Sequence, residues 1–297
     1  MPLTPDRKAQ LQIHACVLLW GFTAILGKLI SLSAMALVVW RMLIVVAALA
    51  LVPRVWRGLS ALAWRQIGIY AVIGAVVGLH WLTFYASIKL ANASVAATCI
   101  ALAPVFLAVV EPLLAHKRFE LRELLLGIAV VPGVALVVGG VAASMRLGIA
   151  VGALSALLVA IFGALNKRFV ERADPLTVTA IELGSGAVFL IIVALAFPVF
   201  GNPLPLPSLH DAGLLLILSL ACTLLPFALS LVALRQLSAY SAQLAINLEP
   251  VYAILLAIPL LGEQRELEPM FYLGVAIVLA AVFVHPWLGT RVSRPSQ

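Results

Sequence analysis

Residues 85–121 read YASIKLANASVAATCIALAPVFLAVVEPLLAHKRFEL, and residues 231–267 read LVALRQLSAYSAQLAINLEPVYAILLAIPLLGEQREL. At a constant offset of 146 the two stretches align without a gap. Nine of the 37 positions are identical: Ala93, Ala96, Ile100, Leu102, Pro104, Val105, Leu114, Glu120 and Leu121, matched by counterparts from Ala239 to Leu267. The pairing is chemically specific as well. Pro104-Val105-Phe106 faces Pro250-Val251-Tyr252, and Lys89 faces Arg235, each a cation closing the preceding apolar run. Upstream, Gly27-Lys28 and Asn166-Lys167 take similar places after the first run of each half. The chain is therefore built from two related halves.

The medium for these halves follows from composition. Of 297 residues, 64% are hydrophobic and 10% charged, with a mean hydropathy of +1.16. Soluble domains carry about 25% charge and far less apolar surface, so the chain reads as an all-α polytopic membrane protein. Apolar runs between short polar segments give ten candidate transmembrane helices, at 10–30, 36–52, 67–88, 93–115, 122–142, 147–166, 175–198, 211–233, 239–260 and 269–288. The expected domains are one five-helix repeat over 10–142 and a second over 147–288. Five is odd, so the second half enters the membrane in the opposite sense, as in the inverted repeats of secondary transporters. The first run, with Arg7 and Lys8 before it, imitates a signal peptide, but its length and its internal Lys28 argue against cleavage.

Charge placement sets the orientation. With the N-terminus inside, 14 of the 19 Lys and Arg fall on inner segments; Lys28, Lys89, Arg146 and Arg265 fall outside, and Arg41 lies within a span. Basic residues are retained on the cytoplasmic side, so both termini are expected there, with the chain in the inner (plasma) membrane. The net charge of +7 thus reports topology and not nucleic-acid binding. Trp40, Trp56, Trp64 and Trp287 fall near expected interfaces, where aromatic rings anchor. Cys16, Cys99 and Cys222 lie in apolar runs without a CxxC pair, so neither a disulfide framework nor a metal site is expected.

The two quoted stretches, with the Gly-rich runs that follow them, resemble EamA-type domains of the drug/metabolite transporter superfamily. The resemblance covers nearly the whole chain: spaced alanines, Pro-x-(Phe/Tyr) at Pro104 and Pro250, then Leu261-Gly262-Glu263, where the first half has Ala115-His116-Lys117. It implies ten helices, inverted repeats and export of small metabolites, and one branch exports aromatic amino acids.

Candidate site residues follow from depth at about 1.5 Å per helical residue. Trp20 and Glu249 come out near mid-membrane, with Asn247 beside Glu249 and Tyr252 one turn on. Trp81, Phe84 and Tyr85 share a face next to His80, while Phe22 and Phe162 sit near the centres of their spans. Trp and Tyr avoid the bilayer core unless their N–H or O–H finds a partner, so these residues are expected to line a substrate cavity. Packing or lipid contact is the plain alternative. Glu249, an ionisable group at mid-depth, is a candidate for carrying a proton or meeting a substrate ammonium; alternatively it serves a carbonyl freed by Pro250. His80, Arg41 and Glu182 are the other coupling or gating candidates. About 10 Å of depth separates Arg41 from Glu182, so no direct pairing is expected, and Arg41 either snorkels outward or joins a gate or carboxylate site. Pro104 and Pro250 are the candidate hinges.

No HExxH, GxSxG or phosphate-loop motif is present, so no cofactor and no catalytic residues are expected. The expected partners are a small-molecule substrate and the lipid bilayer, with the chain acting as a monomer. The favoured function is export of aromatic and other hydrophobic amino acids by alternating access. The alternatives are a carrier of phosphorylated or nucleotide-linked solutes, for which Arg41, Lys89 and Arg235 would have to face the cavity, and an intramembrane lipid-modifying enzyme.

Overall fold

A computed structural model describes residues 5–115, 118–246, 248–277 and 280. Among them every regular element is helical. The first half contains α1 (Pro5–Leu29), α2 (Ala34–Ala50), α3 (Pro53–Ala61), α4 (Trp64–Leu90), α5 (Ala93–Ile100), α6 (Ala103–Ala115), α7 (Leu121–Ile128) and α8 (Val131–Gly139). The second contains α9 (Arg146–Phe169), α10 (Pro175–Ala196), α11 (Leu209–Ser219), α12 (Leu225–Leu234), α13 (Ala239–Ile246), α14 (Glu249–Leu261) and helical residues 269–277. Asn247, Trp287 and the end of the expected 269–288 span lie outside the described residues.

Six helical segments are long and apolar enough to cross a membrane: Arg7–Leu29, Trp64–Leu90, Ala93–Leu114, Ala143–Phe169, Pro175–Ala196 and Leu209–Leu234. A seventh arises if α2 and α3 are taken together, but α3 turns 93° away from α2. The continuous helices expected over 122–142 and 239–260 are instead helix pairs. Proline explains the breaks, because its ring excludes the carbonyl four residues back and it has no N–H to donate. Pro132 stands in the first turn of α8, Pro226 in that of α12 and Pro250 in that of α14.

The repeat survives in this detail. At the α5–α6 break Leu102 N donates to Cys99 O at 3.0 Å and Val105 N to Leu102 O at 3.0 Å. At the α13–α14 break Leu248 N donates to Ala245 O at 3.0 Å and Val251 N to Leu248 O at 3.0 Å. The same tight i→i−3 turn thus recurs 146 residues later, before Pro104 and before Pro250. The repeat-related cations also act alike: Lys89 Nζ donates to Ile30 O at 2.5 Å and Arg235 Nη2 to Ala173 O at 2.8 Å, each satisfying a carbonyl in the link between its half's first helix and the next.

The halves interlock across the core. α4 packs against α9 and α10, α1 against α12 and α14, and α2 against α10. The α4–α10 crossing is close because Gly74 lies on the backbone of Glu182 and Gly186; a side chain at Gly74 would collide with that backbone. Small residues at crossings let helices without a hydrophobic driving force gain van der Waals contact. Cys16, Cys99 and Cys222 are free and buried.

Candidate functional site

α1, α4, α9, α12, α13 and the start of α14 surround a cleft with about 940 Å³ of atom-free space, its open mouth included. Its wall is mostly apolar and aromatic, from Trp20, Trp81, Phe84, Phe162 and Phe227. Polar groups enter at Thr23, Arg41, His80, Asn166, Ser230 and Glu249.

Arg41 closes one end. It is 2% exposed, so the outward snorkelling weighed from sequence does not occur. Its guanidinium lies over the Trp81 ring at 3.8 Å from the centroid, while Nε donates to Thr223 Oγ1 at 2.5 Å and Nη1 to Tyr85 Oη at 2.9 Å. Thr223 belongs to a π-helical turn, Leu220–Leu224, that runs into the Pro226 region. Such turns place a side chain where a regular helix would not. Among the described residues no carboxylate is in ion-pair contact with Arg41. A desolvated cation with neutral donors and a π face around it is complementary to an anion.

His80 sits between the rings of Phe84 and Phe162, at centroid separations of 6.3 and 5.3 Å. Its Nδ1 is 3.0 Å from Ser155 O and 2.8 Å from Ser155 Oγ. A carbonyl only accepts, so in the neutral ring Nδ1 carries the proton and Nε2 is an acceptor. Ser155 Oγ in turn donates to His80 O at 3.0 Å, which fixes the ring on α4 against α9. Glu249, 7% exposed, begins α14 immediately after the break and makes no hydrogen bond within the described residues. Its carboxyl is therefore not consumed by a carbonyl freed by Pro250.

Glu182 lies one layer behind the wall. It is fully buried, accepts from Asn166 Nδ2 at 3.3 Å through Oε2, and leaves Oε1 without a hydrogen bond. Asn166 Oδ1, whose residue lines the cleft, is likewise unpaired. Arg41 and Glu182 make no contact, as their separate depths require.

Of the sequence candidates, Trp20, His80, Trp81, Phe84, Phe162, Glu249 and Arg41 meet in the cleft wall. Tyr85 stands behind Arg41 as its hydrogen-bond partner, not at the wall. Phe22 is 38% exposed on the outer side of α1, because two residues from Trp20 is about 200° around a helix. Tyr252 is half-buried with its Cβ over Gly21, and is not part of the wall. Thr23, Asn166, Phe227 and Ser230 are not among the site residues expected from the sequence, although Asn166 marks the repeat. The i, i+3 spacing of Phe227 and Ser230, and of Trp20 and Thr23, is the signal that would have found them.

The cleft is asymmetric along the bundle. Its far wall comes from Ile13 of α1, Asn166 near the end of α9, Leu234 ending α12 and Ala239 starting α13. The opposite end of the bundle is stapled. Ser31 N and Oγ donate to the Asp211 carboxylate at 2.9 and 2.6 Å, and Glu263 accepts from Ala93 N at 2.9 Å and from Ser94 N and Oγ at 3.0 and 2.6 Å.

The EamA-like transporter family model matches residues 7–139 and again residues 146–285, so two successive copies of one family unit cover most of the chain. A solved crystal structure is similar over 97% of this chain and 99% of its own, with a TM-score of 0.69 at 16% identity, a likeness of fold. No curated protein matches the sequence.

Proposed function

This chain belongs to the EamA-like transporter family, and from that premise we propose a secondary exporter of small amphipathic metabolites, with aromatic and other hydrophobic amino acids as substrates. The observation that carries this reading is the cleft. An aromatic box holds, within one space, a buried cation at Arg41, a carboxyl at Glu249 and an acceptor at His80. A zwitterion with a ring matches all three chemistries: carboxylate toward Arg41, ammonium toward Glu249, ring among Trp20, Trp81, Phe84 and Phe162.

Two five-helix halves of opposite sense, ten spans in the inner membrane and both termini cytoplasmic complete the proposal, as the repeat and the charge placement suggest. In that orientation the Asn166 and Ala239 end of the cleft faces the cytoplasm and the stapled end faces outward. Alternating access then consists of breaking the staples at one end while the breaks before Pro104 and Pro250 act as hinges. Phosphorylated solutes are less well matched, since Lys89 and Arg235 are engaged on backbone carbonyls and do not reach the cleft.

Flux into proteoliposomes containing only this protein is the test. Labelled phenylalanine or tryptophan is expected to exchange, with inhibition by other aromatic amino acids and none by sugar phosphates. Glu249→Gln is expected to slow that exchange. Inhibition by sugar phosphates alone would overturn the substrate assignment, and full flux through Glu249→Gln at every pH tested would remove that residue's role.

A further inference from the structure

Away from the cleft, α3 makes an elbow with α2 that the transport reading does not use. The 93° turn lays α3 across the bundle's end, and its residues divide by face: Val55, Trp56 and Leu59 on one side, Arg54 and Arg57 on the other. A short helix of this kind lies in the membrane interface plane. It is held there by the Arg54–Asp174 ion pair, at 2.5 Å, and by Gly58, which sits on Thr177 of α10 so closely that a side chain would collide.

Between α2, α3 and α10 runs a groove with about 500 Å³ of atom-free space. Val46, Ala50, Trp56, Leu59 and Ile181 make it apolar, and Trp56 is 57% exposed along it. Its floor holds Thr177, fully buried, whose Oγ1 has no hydrogen-bond partner. Arg57, on the opposite face of α3, and Arg65, in the first turn of α4, are exposed at the same end of the bundle and, among the described residues, without an ion-pair partner. A groove walled by apolar side chains beneath an interfacial helix, with exposed arginines on that helix's other face and at the start of the next, suits an acyl chain attached to an anionic headgroup.

We propose that the α2–α3–α10 elbow is a binding site for an anionic phospholipid, with an acyl chain in the groove along Trp56 and the headgroup phosphate on Arg57 and Arg65. The cytoplasmic leaflet, which faces α3 in the orientation proposed above, is the one that carries anionic lipid. The site is independent of the solute in the central cleft.

The full chain in phosphatidylcholine liposomes, doped with a minor fraction of either phosphatidylglycerol or phosphatidylcholine bearing brominated chains, provides the test. The Trp56 contribution is the fluorescence difference from Trp56→Phe. Brominated phosphatidylglycerol is expected to quench Trp56 at a mole fraction lower by about 30-fold at low salt, the preference two surface arginines supply. Arg57→Gln with Arg65→Gln is expected to merge the two curves, and high salt to do so in the unaltered protein. Equal quenching by both lipids, no quenching of Trp56 by either, or a preference that survives loss of both arginines and high salt would each overturn the assignment. Because the readout is fluorescence and not flux, a failed substrate assignment leaves this result unaffected.

Discussion

Arg41 concentrates the physical problem of this protein in one side chain. An arginine within an apolar span is expensive unless its charge is met. Here a π face at 3.8 Å, a phenol and a threonine hydroxyl meet it directly, and among the described residues no carboxylate is in ion-pair contact with it. That arrangement keeps the guanidinium folded inward, with Glu249 of the same cleft acting on its charge only from a distance and its face toward the cleft open to an anionic group. Charge-assisted hydrogen bonds contribute about 1.5–3 kcal/mol each, so losing one is a change of roughly 10- to 100-fold in apparent affinity. Arg41→Gln is accordingly expected to raise KM for tryptophan by that factor and to erase the preference for tryptophan over tryptamine, which lacks the carboxylate. Competition assays in proteoliposomes measure both, and an unchanged tryptophan KM would mean that Arg41 only packs. The acceptor at His80 Nε2 then remains as a group for the polar hydrogens of the solute.

Helix ends are tied together across the two halves. Gly262, at φ +69°, ends α14 in a left-handed turn that an L side chain adopts only with strain, and this turn swings Glu263 onto the start of α5. Glu263 is 1% exposed and accepts from two backbone N–H groups and one hydroxyl, capping a helix 170 residues away in sequence. Glu263→Gln is expected to destabilise the detergent-solubilised protein by about 1.5–3 kcal/mol, read as a lowered midpoint of thermal unfolding. Glu266→Gln, with one 3.3 Å contact to Asn92, is the control expected to move it much less. Hydropathy placed α1, α4, α9 and α10 within a few residues, because long apolar runs have a single solution in a bilayer. The breaks before Pro104 and Pro250 were legible as prolines repeated at one offset. The elbow at α3 was not, since nine amphipathic residues between spans read as a polar loop, and the π-helical turn at Leu220–Leu224 leaves no compositional mark. At the cleft, depth along each helix pointed to Trp20, His80 and Glu249, which line its wall, whereas Phe22 and Tyr252 lie off that wall because of the side of the helix they occupy. Rotation about a nearly uniformly apolar helix is set by its neighbours, and no periodicity records it.

At the scale of the whole molecule, the two halves share a plan but differ in what closes each end. At one end Asp211 and Glu263 hold Ser31, Ala93 and Ser94. At the other, among the described residues, the start of α13 is capped by its own Ser238, whose Oγ accepts from Ser241 N at 2.9 Å, and the halves are joined by the largely exposed Arg54–Asp174 pair at 2.5 Å and by Arg168 Nη1 donating to Leu114 O at 2.6 Å. A two-fold repeat whose ends are held by buried carboxylate caps on one side and exposed arginine contacts on the other is biased toward one state, because each set of contacts stabilises the closed form of its own end and the two sets are unequal. The bias predicts a sided reactivity. Ser230 lines the cleft on α12, and the three native cysteines are buried, so a membrane-impermeant thiol reagent has little background. Ser230→Cys is expected to react from the cytoplasmic face of oriented vesicles, to be protected by an aromatic amino acid, and to be slow from the outside. Weakening the stapled end with Asp211→Asn is then expected to raise labelling from the outside and lower it from the cytoplasm together, since a single cleft cannot open fully at both ends. Labelling from the outside alone in the unaltered background would reverse the orientation assigned to the halves. Independent changes on the two faces would sink the coupling between them, leaving two static vestibules in place of one alternating site.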